Sequence, residues 1–292
     1  MAGARIDELG SPQKPRFLED RVSAQPLSLD AREITVEFPN PRKGVSIVAC
    51  WKLSLAVAQG EFVSIIGPSG CGKTTFLNVL GGLQEPTSGE LYVNGKKVTK
   101  PGRERMIVFQ EYGLLPWRTV ESNVRLGLEL RHVRKSEADA AVAKALELVG
   151  LTPFAGAYSY ELSGGMKQRA GLARALVTDP EILLLDEPFG ALDAMTREVL
   201  QREFEGIFMK TRKTAILITH SIDEAIALSD RIIVCTARPS RFKGEVIVDL
   251  PRPRVGFDIK GEPRYVEIYE EVWRLVESEI HDDRELRSES AE

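Results

Sequence analysis

Apolar residues arrive in this chain in short runs separated by turn formers, and the spacing inside each run predicts an element. Ile34-Thr35-Val36-Glu37-Phe38 alternates apolar and polar side chains, and Lys52-Leu53-Ser54-Leu55-Ala56-Val57 does the same, so both read as half-buried strands. Phe62-Val63-Ser64-Ile65-Ile66 is nearly continuous and ends at Gly67, the pattern of a strand covered on both faces that leads into a glycine loop. Thr74 to Leu83 follows as a helix, Pro86-Thr87-Ser88-Gly89 makes a turn, and a short strand pair closes at Asn94-Gly95. Three later runs, Met106-Ile107-Val108-Phe109, Glu181 to Asp186 and Thr214 to Thr219, are again short and apolar, and they end at Gln110, Asp186 and His220. Polar groups collected at the carboxyl ends of strands are what an open parallel α/β sheet produces.

From Glu111 to Glu161 the period changes to that of helices. Ser136 with Asp139 resembles a capping box, Val142, Ala145, Leu146 and Val149 form one apolar face, and Gly150 terminates it. After Ala237 comes a Pro/Arg-rich stretch, Leu250-Pro251-Arg252-Pro253-Arg254. An amphipathic helix follows, with Tyr265, Ile268, Tyr269, Val272, Trp273 and Val276 on one stripe. Packing of that stripe on the protein's own surface is the simpler reading, and a partner helix is the alternative. Residues 1–31 mix Pro, Ser, Gln and charges without periodicity and read as a disordered leader. The expected organisation is therefore a leader over 1–31, a central domain over 32–237 with an inserted helical subdomain at about 111–161, and a C-terminal extension over 238–292.

Composition narrows this picture without redirecting it. The 292 residues are 43% hydrophobic and 28% charged, ordinary for a globular protein with a sizeable core. A net charge of −4 gives no case for a nucleic-acid partner. Cys50, Cys71 and Cys235 show no metal-ligand or disulfide spacing, which points to a reducing compartment. The N-terminus carries Arg5, Asp7, Glu8 and Lys14 and no apolar stretch, so no signal peptide is expected. No run approaches the ~20 apolar residues of a membrane span, so work at a membrane would need another chain to cross it.

The chemistry is carried by glycines and strand ends. Gly67-Pro68-Ser69-Gly70-Cys71-Gly72-Lys73-Thr74 fits the GxxxxGK[ST] phosphate loop in the required strand–loop–helix context. Its glycines let backbone N–H groups turn toward phosphates, Lys73 offers a point charge to the β and γ oxygens, and Thr74 offers a hydroxyl to Mg²⁺. Thr75 completes the candidate nucleotide contacts. A second cradle stands at Leu162-Ser163-Gly164-Gly165-Met166-Lys167-Gln168-Arg169, where a serine and two glycines open a helix. Two cradles in one chain of this size imply a dimer in which each grips the nucleotide from a different side. Asp186 is placed to hold the metal through its coordinated water, and Glu187 to accept a proton from the attacking water. Gln110 could touch Mg²⁺ and that water, and His220 the γ-phosphate. Asp193, in Gly190-Ala191-Leu192-Asp193, fits a loop crossing to a partner subunit.

Taken in order, the phosphate loop, Gln110, Leu162–Arg169, Ile182–Pro188, Asp193 and His220 resemble the ATP-binding subunit of an ABC transporter, over about Ile34 to Thr236. The resemblance implies a P-loop NTPase core of α/β class, with a parallel sheet, an antiparallel β subdomain and an inserted helical subdomain. It implies ATP and Mg²⁺ as ligands. It also implies two copies stacked head to tail, with Ser163, Gly164 and Gly165 closing over ATP on the other copy's loop. An aromatic stacked on adenine is implied as well, and Phe38 is the candidate.

Finer features are similar to importers of the nitrate/sulfonate/taurine group. These are Glu111 to Val120 with Asn123-Val124, Glu187-Pro188-Phe189-Gly190-Ala191-Leu192-Asp193, the Ala237-Arg238-Pro239 turn and Leu250–Arg254. That likeness implies an ATPase at the cytoplasmic face of the inner membrane. A separate permease would be contacted near Tyr112–Arg118, and an extracytoplasmic solute-binding protein would act indirectly. Leu114, Leu115 and Trp117 either form that contact or pack within the helical subdomain. The cargo is expected to be a small anion such as taurine, an alkanesulfonate or nitrate, with a lean toward the sulfonates. The alternative is a non-transport ABC ATPase acting on nucleic acid or the ribosome, which commonly carries coiled-coil insertions or paired ATPase units absent from this chain. Two positions depart from the usual pattern: Met166 replaces Gln, and Ser221 replaces the Asp common after His220, a change expected to loosen a local contact.

Overall fold

The computed structural model describes residues 26–40, 45–256 and 258–289. In chain order its elements are β1 (Leu27–Asn40), β2 (Val45–Ala58), β3 (Phe62–Ile66), α1 (Lys73–Gly81), β4 (Ser88–Val93), β5 (Lys96–Lys97), β6 (Arg105–Val108), α2 (Val120–Leu130), α3 (Lys135–Leu148), α4 (Gly164–Leu176), β7 (Ile182–Asp186), α5 (Ala194–Thr211), β8 (Thr214–Thr219), α6 (Ile222–Leu228), β9 (Arg231–Cys235), β10 (Phe242–Ile247) and α7 (Pro263–Glu289). The chain is of α/β class and divides into two compact units. One runs up to Gly102 and resumes at Thr214, and the other is Arg103–Lys213. Among the described residues no helix is long and apolar enough to cross a membrane.

The leader expected over 1–31 lies outside the described residues as far as 25, and its last residues are strand instead. Leu29 and Ala31 are buried in β1 and pair with Val57 and Leu55 of β2. In the first unit β1 joins an antiparallel sheet of order β2-β1-β4-β5. Asn94 and Gly95 turn β4 into β5 with φ of 48° and 73°, as a type I′ hairpin needs. β3 lies between β8 and β9 and runs parallel to both, while β10 pairs antiparallel with β9. Every residue of β3, β8 and β9 is buried, which accounts for their unbroken apolar runs. α1 stops at Gly81, two residues short of the expected Leu83. Gly82 takes φ 74° there, and its N–H closes on the carbonyls of Asn78 and Val79.

α7 carries the predicted amphipathic stripe, and the stripe covers the protein's own surface. Tyr265, Ile268 and Val272 are buried in one cluster with Ile226 of α6, Ile232 and Val234 of β9, and Val246 of β10. Trp273 sits at the rim of that stripe, 42% exposed. The extension expected to begin at 238 therefore includes a sheet strand, β10, as well as the helix.

In the second unit β6 and β7 are parallel neighbours. Helices α2 and α3 occupy the stretch expected to be helical, whereas residues 111–119 are irregular. The Ser136/Asp139 capping box does not form. α3 starts at Lys135 with Arg134 at its N-cap and no side-chain cap, and Asp139 pairs with Arg125 of α2 at 2.5 Å. Val142, Ala145, Leu146 and Val149 are buried as their spacing predicts, and Gly150 follows with φ 66°.

Candidate functional site

The glycine loop leaves the buried end of β3 and feeds the first turn of α1. Gly72 takes φ 124°, and a Cβ there would lie 2.5 Å from the carbonyl oxygen of Ala49, so only glycine fits. α1 has no side-chain cap and no acidic residue in its first turn, which leaves its leading N–H groups and positive dipole end to an anion. Lys73 is buried, and its Nζ donates to the carbonyls of Gly67 at 2.8 Å and Pro68 at 2.7 Å. Phosphate oxygens can replace such neutral acceptors and gain a charge-assisted bond. Ser69, Gly70 and Thr74 are exposed along the loop and Thr75 is half-buried. Cys71 lies within it, buried, with its Sγ 3.8 Å from Lys73 Nζ. Cys50 packs beneath, its thiol donating to the Gly72 carbonyl at 3.4 Å. Burial pushes the Cys50 thiol up to about 12 and raises that of Cys235 as well.

His220 emerges at the same edge. Thr219 is in register with Ile66, so the residue after each strand, His220 and Gly67, leaves the sheet side by side. The Thr219 hydroxyl donates to the buried carboxylate of Glu224 and accepts from Ser221 N at 3.0 Å. Ser221 Oγ in turn accepts from Glu224 N at 3.3 Å and caps α6. The contact expected to loosen at Ser221 is thus a formed helix cap. Phe38 is 43% exposed on β1, opposite Ile47 of β2.

The second unit gathers the remaining candidates. Val108 and Leu185 are in register, so Gln110 and the pair Asp186-Glu187 follow at one edge of β6 and β7. Asp186 is buried. Glu187 has φ 44°, a left-handed conformation that costs a non-glycine residue about 1–3 kcal/mol and that clusters at functional positions. A Cβ on Gly190 would lie 3.6 Å from Glu187 Oε2 and 3.7 Å from Gln110 Nε2, so the carboxylate and the amide converge there. Ser163 caps α4, its Oγ accepting from Met166 N at 3.3 Å. Gly165 is packed so closely that a Cβ would meet Thr196 Cγ2 at 2.9 Å. Asp193 caps α5 through a bond from Thr196 N at 3.0 Å, and the hydrogen bonds from Thr196 hold its carboxyl below the usual carboxylate range. Its carboxylate is thus engaged by its own chain.

Next to Gln110 opens a cleft of about 690 Å³, lined by Gln110, Glu111, Tyr112, Gly113, Leu114, Ser159, Lys167 and Ala191. Two residues that the spacing of the sequence did not single out brace the cleft wall and the loop that follows it. Arg174 donates to the carbonyls of Gly113 at 2.5 Å and Tyr112 at 3.1 Å. Asn123, fully buried, accepts from Leu115 N at 2.7 Å and donates to the carbonyls of Leu115, Arg118 and Thr119 at 3.0–3.1 Å. The only advance signal for Asn123 was its place in the Glu111–Val124 signature. Trp117 does not pack into the helices but is 72% exposed, whereas Leu114 and Leu115 are half-buried. Tyr158 and Tyr160, also exposed, stack with centroids 5.5 Å apart.

The structure thus joins the phosphate loop with His220 in one unit, and Gln110 with Asp186 and Glu187 in the other. Among the described residues no three His, Cys, Asp or Glu side chains form a cluster able to hold a metal by themselves. One carboxylate, one hydroxyl and one amide, completed by phosphate oxygens and water, is a donor set that suits Mg²⁺. Asp186, buried in one unit, and Thr74, exposed in the other, are donors of these kinds.

The ABC transporter family model matches residues 50–190. The chain is 47% identical over 237 residues to an uncharacterized ABC transporter ATP-binding protein of Methanocaldococcus jannaschii, covering 81% of this chain and 87% of that one. It is 45% identical over 250 residues to the nitrate import ATP-binding protein NrtD of Synechococcus elongatus, covering 84% of this chain and 90% of that one. Among solved structures it is similar to the dimeric, post-hydrolysis state of an ATP-binding cassette bound to ADP and Pi. The TM-score is 0.67 at 31% identity, covering 76% of this chain and 100% of that one.

Proposed function

This chain belongs to the ABC transporter ATP-binding protein family and is the ATP-hydrolysing subunit of an importer, and from that premise we propose that its cargo is a small anion, nitrate foremost. Two copies close head to tail on two ATP molecules. Ser163, Gly164 and Gly165 of each copy complete the site begun by Gly67–Thr75 of the other. The likeness to a dimeric cassette holding ADP and Pi supports this arrangement.

Within each site the loop N–H groups and Lys73 hold the β- and γ-phosphates, and Phe38 stacks on adenine. Thr74, Gln110 and Asp186 are the residues that would hold Mg²⁺, which when bound neutralises charge on the phosphate oxygens. Glu187 takes the proton of the attacking water, Gln110 orients that water, and His220 contacts the γ-phosphate. Asp193 steadies the loop that meets the second copy. The observation that carries this reading is the double placement of Gln110, whose amide converges with Glu187 at Gly190 and also lines the cleft beside Tyr112–Leu114. A change at the reacting phosphate is then a change at the surface offered to the permease. The subunit sits peripherally on the cytoplasmic face, and a solute-binding protein on the other side selects the anion.

Growth of a deletion strain tests the cargo. Loss of growth on nitrate as sole nitrogen source supports the proposal. Unimpaired growth on nitrate with a defect on taurine or an alkanesulfonate as sulfur source replaces nitrate by a sulfonate.

A further inference from the structure

The Ala237-Arg238-Pro239 turn has no part in the chemistry assigned above, yet it lies against the nucleotide loop. Arg238 Nη2 donates to the carbonyl oxygen of Gly70 at 2.9 Å, across 168 positions of sequence. Gly70 is the exposed apex of the loop, with φ 73°, and a Cβ there would meet nothing within 4 Å. The backbone bond of the turn beneath it is long, from Cys71 N to Pro68 O at 3.4 Å. Because a trans peptide is planar, fixing the Gly70 carbonyl also fixes the direction of the Cys71 N–H. In the nucleotide reading that N–H, which here reaches Pro68 O, is one of the donors offered to phosphate.

The turn that carries Arg238 is anchored from behind. Ser240 N donates to Ala49 O at 2.9 Å and Trp51 N to Ser240 O at 3.0 Å, which stitches it to β2. The Thr236 hydroxyl donates to Pro239 O and accepts from Arg241 N, both at 3.0 Å. The third anchor comes from the C-terminal helix. Ala237 N donates to Glu279 Oε2 at 2.9 Å, and Glu279 Oε1 accepts from Lys243 Nζ at 2.5 Å. Glu279 is a buried carboxylate of α7, only 7% exposed. Its two bonds are directed at the base of the turn and at β10.

We propose that Arg238 is a positioning residue for the nucleotide loop and that Glu279 of α7 sets its place, so that the C-terminal helix acts on ATP affinity. The inference rests on nucleotide binding at Gly67–Thr75. A charge-assisted hydrogen bond to the loop stabilises one orientation of its apex before the nucleotide arrives. Losing that bond weakens binding more than it slows chemistry.

Equilibrium binding of a fluorescent ATP analogue and steady-state ATPase kinetics test this on the full chain. The variants are Arg238→Ala, Arg238→Lys, Glu279→Ala and the double variant, with Lys73→Ala as reference. Arg238→Ala should raise Kd and KM about three- to tenfold with kcat nearly unchanged. Arg238→Lys should recover part of the loss. Glu279→Ala should shift Kd in the same direction, and the double variant should be no weaker than Arg238→Ala, because both changes act through one contact. Unfolding midpoints taken without nucleotide separate loss of affinity from loss of fold; for Glu279→Ala, binding is read at a temperature where the variant is fully folded. Wild-type Kd and KM in Arg238→Ala, with binding lost in Lys73→Ala, would overturn the inference. Unchanged binding in both would overturn the nucleotide reading itself. Losses that add in the double variant would sever α7 from the loop.

Discussion

Gln110 and Glu187 come from two neighbouring parallel strands and meet at Gly190, whose Cβ position lies 3.7 Å from Gln110 Nε2 and 3.6 Å from Glu187 Oε2. A neutral amide and the carboxylate proposed as general base thus both border Gly190. Glu187→Gln keeps the shape of the side chain and removes its capacity to take a proton. Hydrolysis should fall about 10²–10⁴-fold, roughly 3–5.5 kcal/mol of barrier, while ATP binding is retained. Phosphate release and nucleotide titration measure the two separately, and a wild-type hydrolysis rate would remove Glu187 from the role.

A catalytically stalled subunit also gives access to the dimer. With Glu187→Gln the chain should double its mass in ATP, as seen by sedimentation. Adding Ser163→Arg places a bulky cation at the exposed cap of α4. The double variant should bind ATP but remain a monomer. A dimer that forms regardless would contradict a site shared between two copies.

Alkaline pH should destabilise the first unit through Cys50. Its thiol ionises near 9.0 when free and only near 12 in the fold, because burial penalises the thiolate. The folded state therefore binds the extra proton, and stability falls as pH rises across that window. Thermal midpoints recorded from pH about 8 to about 11 should decline, and Cys50→Ala should make the decline shallower. An unchanged slope in that variant would show that Cys50 does not contribute.

Ile268 is fully buried in the cluster that α7 forms over the sheet. Ile268→Ala leaves a cavity there and should cost about 2–5 kcal/mol in urea unfolding. A loss below about 0.5 kcal/mol, the range of surface substitutions, would mean that α7 is not part of the cooperative fold.

The strand leading into the phosphate loop was legible because burial on both faces writes an uninterrupted apolar run, Phe62–Ile66, directly before Gly67. The start of β1 was not legible from alternation alone. The register slips between Ala31 and Ile34, and Glu33 takes φ 47°, so Leu27–Ala31 is out of phase with the strand that continues it. The capping box at Ser136 failed for a different reason: the helix begins at Lys135, which puts Ser136 inside it, and Asp139 pairs with Arg125 on the preceding helix. Local sequence records helix propensity but not which distant cation competes for a carboxylate. The Arg238–Gly70 contact is of the same kind. Its turn could be recognised, but its fold back onto the loop depends on anchors in β2 and α7.

Asn123 has one more consequence for the surface that carries Trp117. Its carboxamide ties down residues 115–119 at four points, so this backbone has surrendered its conformational freedom on folding. A loop that had to order itself against a partner would forfeit about 1–2 kcal/mol per residue at the moment of contact. Here that entropy is already spent, and the exposed indole is presented on a stiff mount. In the docking to the permease proposed above, binding energy then goes to affinity, and a displacement of the mount is passed on as force instead of being absorbed as flexing.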